Sequence, residues 1–139
     1  MLIRLTYVSR AVGPQTGTMT HSILKTAQTS NKANNITGVL CQARGVFLQA
    51  LEGERAVVNN LYSRICADSR HTDVELVNFE YITQRRYAQW SMAHVNLEGD
   101  VLQSLRWSDF DPHSESGLLV MEHIDRVLAS GTTIEAPDA

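Results

Sequence analysis

The chain has 139 residues, of which 43% are hydrophobic, and this is enough to bury one core in a single main domain. Twelve Lys and Arg residues against fifteen Asp and Glu residues give a formal net charge of -3, and no basic cluster is denser than Arg85-Arg86, so we do not expect a nucleic-acid partner. No stretch reaches the roughly 18 apolar residues of a bilayer-spanning helix, and the N-terminus lacks the apolar centre of a signal peptide, so no membrane association is expected.

The first predicted elements are a strand and a helix. Residues 2–8 alternate between two faces with the two-residue period of a β-strand, and Tyr7 belongs to the more apolar face. After the glycine breaks that follow, Thr18 or Thr20 can cap a helix that ends in the polar stretch 30–35.

A hairpin and a second helix come next. Residues 36–43 and 46–53 are mostly apolar strands joined by a turn at Arg44-Gly45. Residues 54–67 carry apolar side chains at helical spacing, which predicts an amphipathic helix.

Two further strands, at 74–82 and 90–96, give the order β-α-β-β-α-β-β. This order predicts an α+β, ferredoxin-like domain over residues 1–97, with two helices on one face of a mainly antiparallel sheet. Residues 98–130 are expected to form a C-terminal cap or output element of two short helices, and residues 131–139 a disordered tail.

The opposite face of such a sheet also needs a cover. We expect Trp107 and the apolar stripe of the second C-terminal helix either to cover this face or to form an interface of a homo-oligomer. The stripe consists of Met121, Ile124, Val127 and Leu128.

Gln49 is an unusual residue for a buried strand. It shares a face with Phe47 and Leu51, where an unpaired carboxamide is costly. Strands one and three are central neighbours in this topology, so the hydroxyl of Tyr7 can donate to the amide oxygen of Gln49, which leaves the amide N–H groups for a third group. No familiar catalytic motif supplies that group.

Two polar clusters border the groove between the predicted helices. Asn31 and two more asparagines end the first helix, where such residues either bond a planar heterocycle or simply form a turn. On the second helix Arg64 lies beside the apolar stripe, with Asp68 one turn later and His71 just beyond, and a surface ion pair is the alternative interpretation. A flat ligand would fit this groove edgewise.

Five ordered segments carry a family resemblance. They are LTYVSRA at 5–11, NKANNITGVL at 31–40, FLQALEGE at 47–54, YSRICADSRH at 62–71 and WSM at 90–92. Together they resemble the BLUF domain, a blue-light sensor that uses FAD, and the chain resembles a short, stand-alone member. The resemblance implies a non-covalent flavin between the two helices, with FAD as the first candidate and FMN or riboflavin as alternatives.

The resemblance also implies a mechanism. Tyr7 gives up an electron and then a proton, Gln49 carries the proton, and the amide settles into a second hydrogen-bonded state that shifts flavin absorption to the red. No covalent adduct forms, so Cys41 and Cys66 need no photochemical role.

Further site residues follow from the same resemblance. Asn31 is assigned to the carbonyl and imide edge of the flavin, and Ala27 stands where relatives have a serine. The C2 carbonyl and ribityl side is assigned to Arg64, Asp68 and His71, the borders of the ring to Ile23 and Ile36, and the signal relay to Trp90, Ser91 and Met92. Trp90 and Met92 compete for the space beside Gln49, with ordinary core packing as the alternative.

The expected role is a sensor and not an enzyme. The signal would pass through strand five and the C-terminal helices to a separate protein, for which a cyclic-nucleotide enzyme and a transcription regulator are candidates. Isolated cysteines indicate free thiols in a reducing cytoplasm, and the scattered histidines do not predict a metal site. A flavin-dependent reductase and a plain oligomeric scaffold remain as alternative functions.

Overall fold

The computed structural model describes residues 1–13, 17–43 and 45–96, together with residues 119, 122, 125, 126, 134 and 135. The elements in chain order are β1 (Leu2–Ala11), α1 (Gly17–Ala33), β2 (Thr37–Ala43), β3 (Val46–Glu54), α2 (Arg55–Cys66), β4 (His71–Tyr81), β5 (Ala93–Asn96) and β6 (Ile134–Glu135). Within these residues no helix is long and apolar enough to cross a membrane.

The strands form one sheet in the order β4-β1-β3-β2-β5-β6. The pairs are antiparallel except β2 with β5, which run parallel. This arrangement confirms the predicted ferredoxin-like α+β fold. It also confirms that β1 and β3 are central neighbours, because Tyr7 lies directly opposite Gln49 in their register.

The main core lies between the two helices and one face of the sheet. Leu24 of α1 and Val58 of α2 pack there with alternate side chains of the strands, as the two-residue and helical periods predict. The strand residues of this cluster include Ile3, Leu5, Tyr7, Leu40, Phe47 and Leu51.

The two middle strands approach each other closely at Gly38. A Cβ at this position would lie 2.2 Å from the backbone oxygen of Ala50 in β3. Only glycine fits such a contact without movement of the backbone, which keeps the hairpin in register.

The opposite face of the sheet is buried as well. Val8, Val39, Cys41 and Leu48 of this face have almost no solvent exposure. Trp107 and the apolar stripe of 121–128 that we expect on this face lie outside the described residues. Arg86 contacts the C-terminal part of the chain, since its Nη1 lies 3.2 Å from Oδ2 of Asp125.

Two strands begin three residues away from the positions predicted from the sequence. β4 begins at His71 and not at 74, because its pairing with β1 continues through a shift in register to Ala11. β5 begins at Ala93 and not at 90, because the preceding carbonyl groups of Ser91 and Met92 accept hydrogen bonds from side chains of α1.

The C-terminal residues are described at six positions. Residues 119, 122, 125 and 126 are helical, within the second of the two helices that we expect there. The first, at 100–107, lies outside the described residues. Within the expected disordered tail, Ile134–Glu135 form the short strand β6 on the exposed edge of β5, where unpaired backbone groups are available for pairing.

Candidate functional site

A cavity of about 270 Å³ lies between α1 and α2 over the sheet face that carries the main core. Its helical walls are apolar, and its floor comes from alternate residues of the three middle strands. The walls include Ile23, Leu24, Ala27, Leu61 and Ile65, the floor is Tyr7, Leu40, Phe47 and Gln49, and the polar rim is Thr26, Ser30, Asn31, Arg64, Asp68, Arg70 and His71. A slot with apolar walls and polar ends suits a flat heteroaromatic ring.

Tyr7 and Gln49 form a buried pair on the cavity floor. Tyr7 is 4% exposed and Gln49 7% exposed, and the Tyr7 hydroxyl donates a hydrogen bond to Oε1 of Gln49. Burial raises the pKa of the Tyr7 phenol well above its usual range, so the phenol is neutral and holds its proton on the hydrogen bond to Gln49. The predicted contact between these two side chains is confirmed.

The amide nitrogen of Gln49 has a weak partner. It lies 3.3 Å from the thioether sulfur of Met92, and a thioether is a poor acceptor. For the second N–H of this amide, the described residues provide no hydrogen bond. A carboxamide on the floor of a cavity therefore retains a donor for a ligand.

Met92, and not Trp90, occupies the space beside Gln49. The Met92 side chain is fully buried in the main core, whereas Trp90 is half-buried. Residues 91–92 form a bend before β5, and strand alternation does not govern the direction of side chains outside a strand.

Asn31 links the end of α1 to the segment before β5. Its Nδ2 donates to the backbone oxygen of Ser91 at 2.9 Å, and its side chain is 1% exposed at the rim of the cavity. Gln28, one turn earlier, donates to the backbone oxygen of Met92 at 3.1 Å. We did not select Gln28 from the sequence, although its i, i+3 spacing to Asn31 is a signal that both amides share one helix face.

Asp68 pairs with Arg70 and not with Arg64. Its carboxylate accepts hydrogen bonds from the backbone N and from Nε of Arg70, and Oδ2 lies 2.5 Å from Nη2. These bonds lower the pKa of Asp68 to about 2, mainly through the Arg70 side chain. The alternative interpretation, a surface ion pair between Arg64 and Asp68, therefore names the wrong arginine. The turn after α2 brings the Arg70 side chain back to Asp68, two residues earlier in the chain.

Arg70 is a site residue that sequence reasoning missed. It and Arg64 both line the cavity, Arg64 from the last turn of α2 and Arg70 from the turn that follows this helix. The D-S-R spacing of a short Asx-type turn could have identified Arg70, since the Asp68 side chain binds the backbone two residues later.

His71 uses both ring nitrogens within the protein. Nε2 donates to the backbone oxygen of Ile65 at 2.8 Å, and Nδ1 lies 2.9 Å from the hydroxyl of Ser9. The carbonyl can only accept, so a neutral ring carries its proton on Nε2 and accepts from Ser9 at Nδ1. His71 therefore borders the cavity through its ring, close to Tyr7 and Phe47.

The two predicted isoleucines have different positions. Ile23 lines the cavity, whereas Ile36 is buried in the core. Ile36 directly follows the end of α1, where its backbone N–H donates to the oxygen of Asn31, and this bond directs the side chain beneath the helices. Phe47 takes a place on the floor that we did not assign from the sequence.

The residues present fit a flavin. Apolar walls match the faces of its ring, and a donor amide at Gln49 and a carboxamide at Asn31 match a polar edge with carbonyl and imide groups. Arg64 and Arg70, which also line the cavity, match a polar or phosphorylated side chain.

A ferredoxin-like α+β fold with a tyrosine–glutamine pair beneath a slot between its two helices defines a class of small light-sensing domains. Comparison with known proteins agrees, because residues 2–93 match the family model BLUF, described as sensors of blue-light using FAD. The chain belongs to the BLUF family.

Similar proteins include curated sequences and solved structures. The photoactivated adenylate cyclase subunit beta of Euglena gracilis is 39% identical over 98 residues, which are 70% of this chain and 11% of that protein. The dark-state structure of BlrB, a BLUF protein, is 30% identical with a TM-score of 0.79, covering 93% of this chain and 96% of that one. The photo-activated state of BlsA is 27% identical with a TM-score of 0.83, covering 96% and 99%.

The extent of these matches defines what is shared. The chain spans a small part of the cyclase subunit, and the family model accounts for the matching region as a sensor. Residues 2–93 thus correspond to the sensor domain of this family.

Proposed function

We propose that the chain is a blue-light photoreceptor that holds a flavin non-covalently between α1 and α2 and signals through the Tyr7–Gln49 hydrogen bond. The observation that carries this proposal is the buried phenol that donates to a carboxamide on the cavity floor. The family description and the two arginines at the rim support FAD as the flavin.

Held between α1 and α2, a flavin would supply blue-light absorption and an excited-state oxidant for a nearby phenol. Tyr7 is that phenol, and its proton is already directed at Oε1 of Gln49. Oxidation makes a phenol strongly acidic, so the proton moves along this bond to the amide. Because Tyr7 is buried and its hydroxyl donates to Oε1 of Gln49, this amide is the available proton acceptor.

Gln49 then has two hydrogen-bonded arrangements. In the arrangement described here, the amide oxygen faces Tyr7 and the nitrogen faces the Met92 sulfur. Rotation or tautomerisation of the amide replaces the acceptor that faces Tyr7 with a donor. Both arrangements keep Tyr7 satisfied after its electron and proton return, since a hydroxyl both donates and accepts, so the second arrangement persists as a signalling state.

The other site residues would position the ligand and pass on the signal. We assign Ile23 and Phe47 to the ring, Asn31 to the carbonyl and imide edge, and the Asp68–Arg70 pair with Arg64 and His71 to the ribityl end. Met92 would respond directly to the new arrangement of Gln49, because the contact between its thioether sulfur and the amide changes. Ser91 and Trp90 would carry this change along the backbone that leads into β5.

The recipient of the signal is proposed to be a separate protein in the cytoplasm. Relatives include photoactivated adenylate cyclase subunits, and a 27% identical structure is BlrP1 with FMN and cyclic diGMP, which favours a cyclic-nucleotide enzyme over a transcription regulator. A homo-oligomer is supported by exposed Leu76, Phe79 and Tyr81 on β4. Cys41 is buried and its thiol pKa is raised to about 12, which agrees with a free thiol.

Ala27→Trp should prevent flavin binding, because an indole at this position fills the slot between the helices. Ala56→Trp is the matched control, since Ala56 lines a separate groove between α2 and β4. Titration of riboflavin, FMN and FAD into the flavin-free proteins, followed by flavin fluorescence, should give a dissociation constant at least about 100-fold higher for Ala27→Trp only.

Equal affinity of the two tryptophan variants would place the ligand elsewhere. If the wild-type chain binds none of the three flavins, the scaffold alternative is correct and the proposed function fails.

A further inference from the structure

Glu52 is a buried carboxylate on the sheet face opposite the cavity. It is 0% exposed and accepts hydrogen bonds from Arg4 Nε at 2.9 Å, from the backbone N of Arg86 at 2.8 Å and of Tyr87 at 2.9 Å, and from Thr37 Oγ1 at 3.1 Å. A buried charge is costly unless it is paired and fully bonded, so this set of contacts is a fixed arrangement. It joins three strands to the connection that leads from β4 to β5.

We call residues 82–92 the β4–β5 strap. Near its start, Arg85 donates to the backbone oxygen of Glu52 at 3.2 Å and to that of Asn35 at 2.8 Å. Arg86 and Tyr87 are then held by their backbone N–H groups on the Glu52 carboxylate. The first half of the strap is therefore anchored to β3, the strand that carries Gln49.

The second half of the strap ends at the photoactive pair. Trp90 N–H donates to the oxygen of Tyr87 at 3.1 Å, and the oxygen of Trp90 accepts from Gly38 N–H at 3.1 Å. Met92, the last residue of the strap, contacts Gln49 at 3.3 Å. The Glu52 carboxylate is therefore connected, through the hydrogen bonds of Tyr87 and Trp90, to the end of the strap where Met92 contacts Gln49.

Arg86 also connects the strap to the C-terminal part of the chain. Its Nη1 lies 3.2 Å from Oδ2 of the helical residue Asp125, and the two side chains are 45% and 47% exposed. Such an exposed pair is weak, so its closed and open states differ little in free energy. A small change in the direction of the Arg86 side chain is therefore enough to change which state dominates.

We propose that Glu52 positions the β4–β5 strap so that a change at Gln49 and Met92 opens the Arg86–Asp125 ion pair, and that this opening is the output step. The inference rests on the proposed light-sensing function and adds its regulation. Glu52 holds the backbone N–H groups of Arg86 and Tyr87 in place, so movement at the Met92 end turns the strap about this fixed point and changes the direction of the Arg86 side chain. Glu52 is thus a positioning residue and touches neither the cavity nor a ligand in it.

Hydrogen–deuterium exchange of the peptide 119–126, measured with flavin bound in the dark and under blue light, tests this proposal. In the wild-type chain, illumination should raise its exchange rate about two- to fivefold, the range that a weak exposed ion pair can control. Arg86→Glu should show the illuminated rate already in the dark, with an unchanged flavin red shift. The double variant Arg86→Glu with Asp125→Arg should restore the light-dependent difference.

Arg10→Glu is the matched control, because Arg10 forms an ion pair of similar exposure with Asp73 on β4, away from the strap. This control should behave as the wild type. If Arg86→Glu keeps the wild-type difference between dark and light, or if the double variant does not restore it, the ion pair is not the output contact.

Glu52→Gln separates positioning from simple stabilisation. A neutral amide weakens the hold on Arg86 and Tyr87, so the red shift should persist while the light-dependent difference in exchange is lost. A variant that unfolds more readily but keeps this difference would show that Glu52 only stabilises the fold. Absence of a red shift in the wild-type chain would instead refute the proposed function, whereas a red shift without any change in exchange refutes this inference alone.

Discussion

Gln49→Leu is expected to bind flavin and to lose the light-induced red shift completely. Leucine keeps the apolar volume on the cavity floor but has neither the oxygen that accepts from Tyr7 nor the nitrogen beside Met92. Light-minus-dark absorption spectra of the flavin-loaded variant measure this loss. In this variant Tyr7 also keeps its proton, because the amide oxygen that accepts it is absent.

Gln42→Leu provides the matched control for this substitution. Gln42 is also a buried glutamine on the sheet, in β2, but its amide oxygen lies 3.2 Å from Nε2 of His94 and it does not line the cavity. This variant should retain the red shift. A normal red shift in Gln49→Leu would contradict the role assigned to the amide.

Tyr7→Phe should bind flavin with nearly wild-type affinity but lower the yield of the signalling state at least about 100-fold. The aromatic ring and its packing against the Tyr62 ring remain, with 5.7 Å between the ring centroids in the wild type. The oxidisable phenol hydroxyl and its proton are removed. The loss of one buried hydrogen bond should lower the free energy of unfolding by only ~1–3 kcal/mol, so the variant is expected to fold. The yield is measured from the red-shifted absorbance formed per absorbed photon.

Tyr62→Phe is the control, because Tyr62 neighbours Tyr7 but is half-buried and does not line the cavity. Its yield should be close to that of the wild type. If Tyr7→Phe forms the signalling state as efficiently as Tyr62→Phe, then Tyr7 is not the electron and proton donor.

The sequence predicted the parts of the site that depend on strand pairing. The alternation in β1 and β3 placed Tyr7 and Gln49 on one face, and the order of the elements made the two strands neighbours. Period and topology are local or nearly local properties, so they can be read from one sequence. The family resemblance added the ligand but not the detailed contacts of the protein around it.

The sequence did not predict the contacts made by irregular backbone. Arg70 reaches the cavity rim through the fold of the turn after α2, and Gln28 acts on a carbonyl far away along the chain. The position of Met92, and not Trp90, beside Gln49 depends on the bend before β5, and a bend has no periodic pattern in the sequence. Ile36, which we expected at the border of the ring, is a core residue and is not among the residues that line the cavity.

The contacts of the buried Glu52 carboxylate were also not predicted from the sequence, for a physical reason. A glutamate in an apolar strand signals a partner, but the pattern does not say which of the many cations and backbone groups it meets. In the structure the carboxylate holds the backbone of the strap, and Arg4 balances its charge.

The most direct test of the central claim follows the side-chain carbonyl of Gln49 itself. Infrared light-minus-dark difference spectra of the flavin-loaded chain, labelled with carbon-13 at the glutamine side-chain carbonyl, should show a reversible label-sensitive band that appears with the red shift, decays with it in the dark and is absent from Gln49→Leu. A reversible red shift with no label-sensitive band would contradict the account, because the amide would then keep one hydrogen-bonded state throughout.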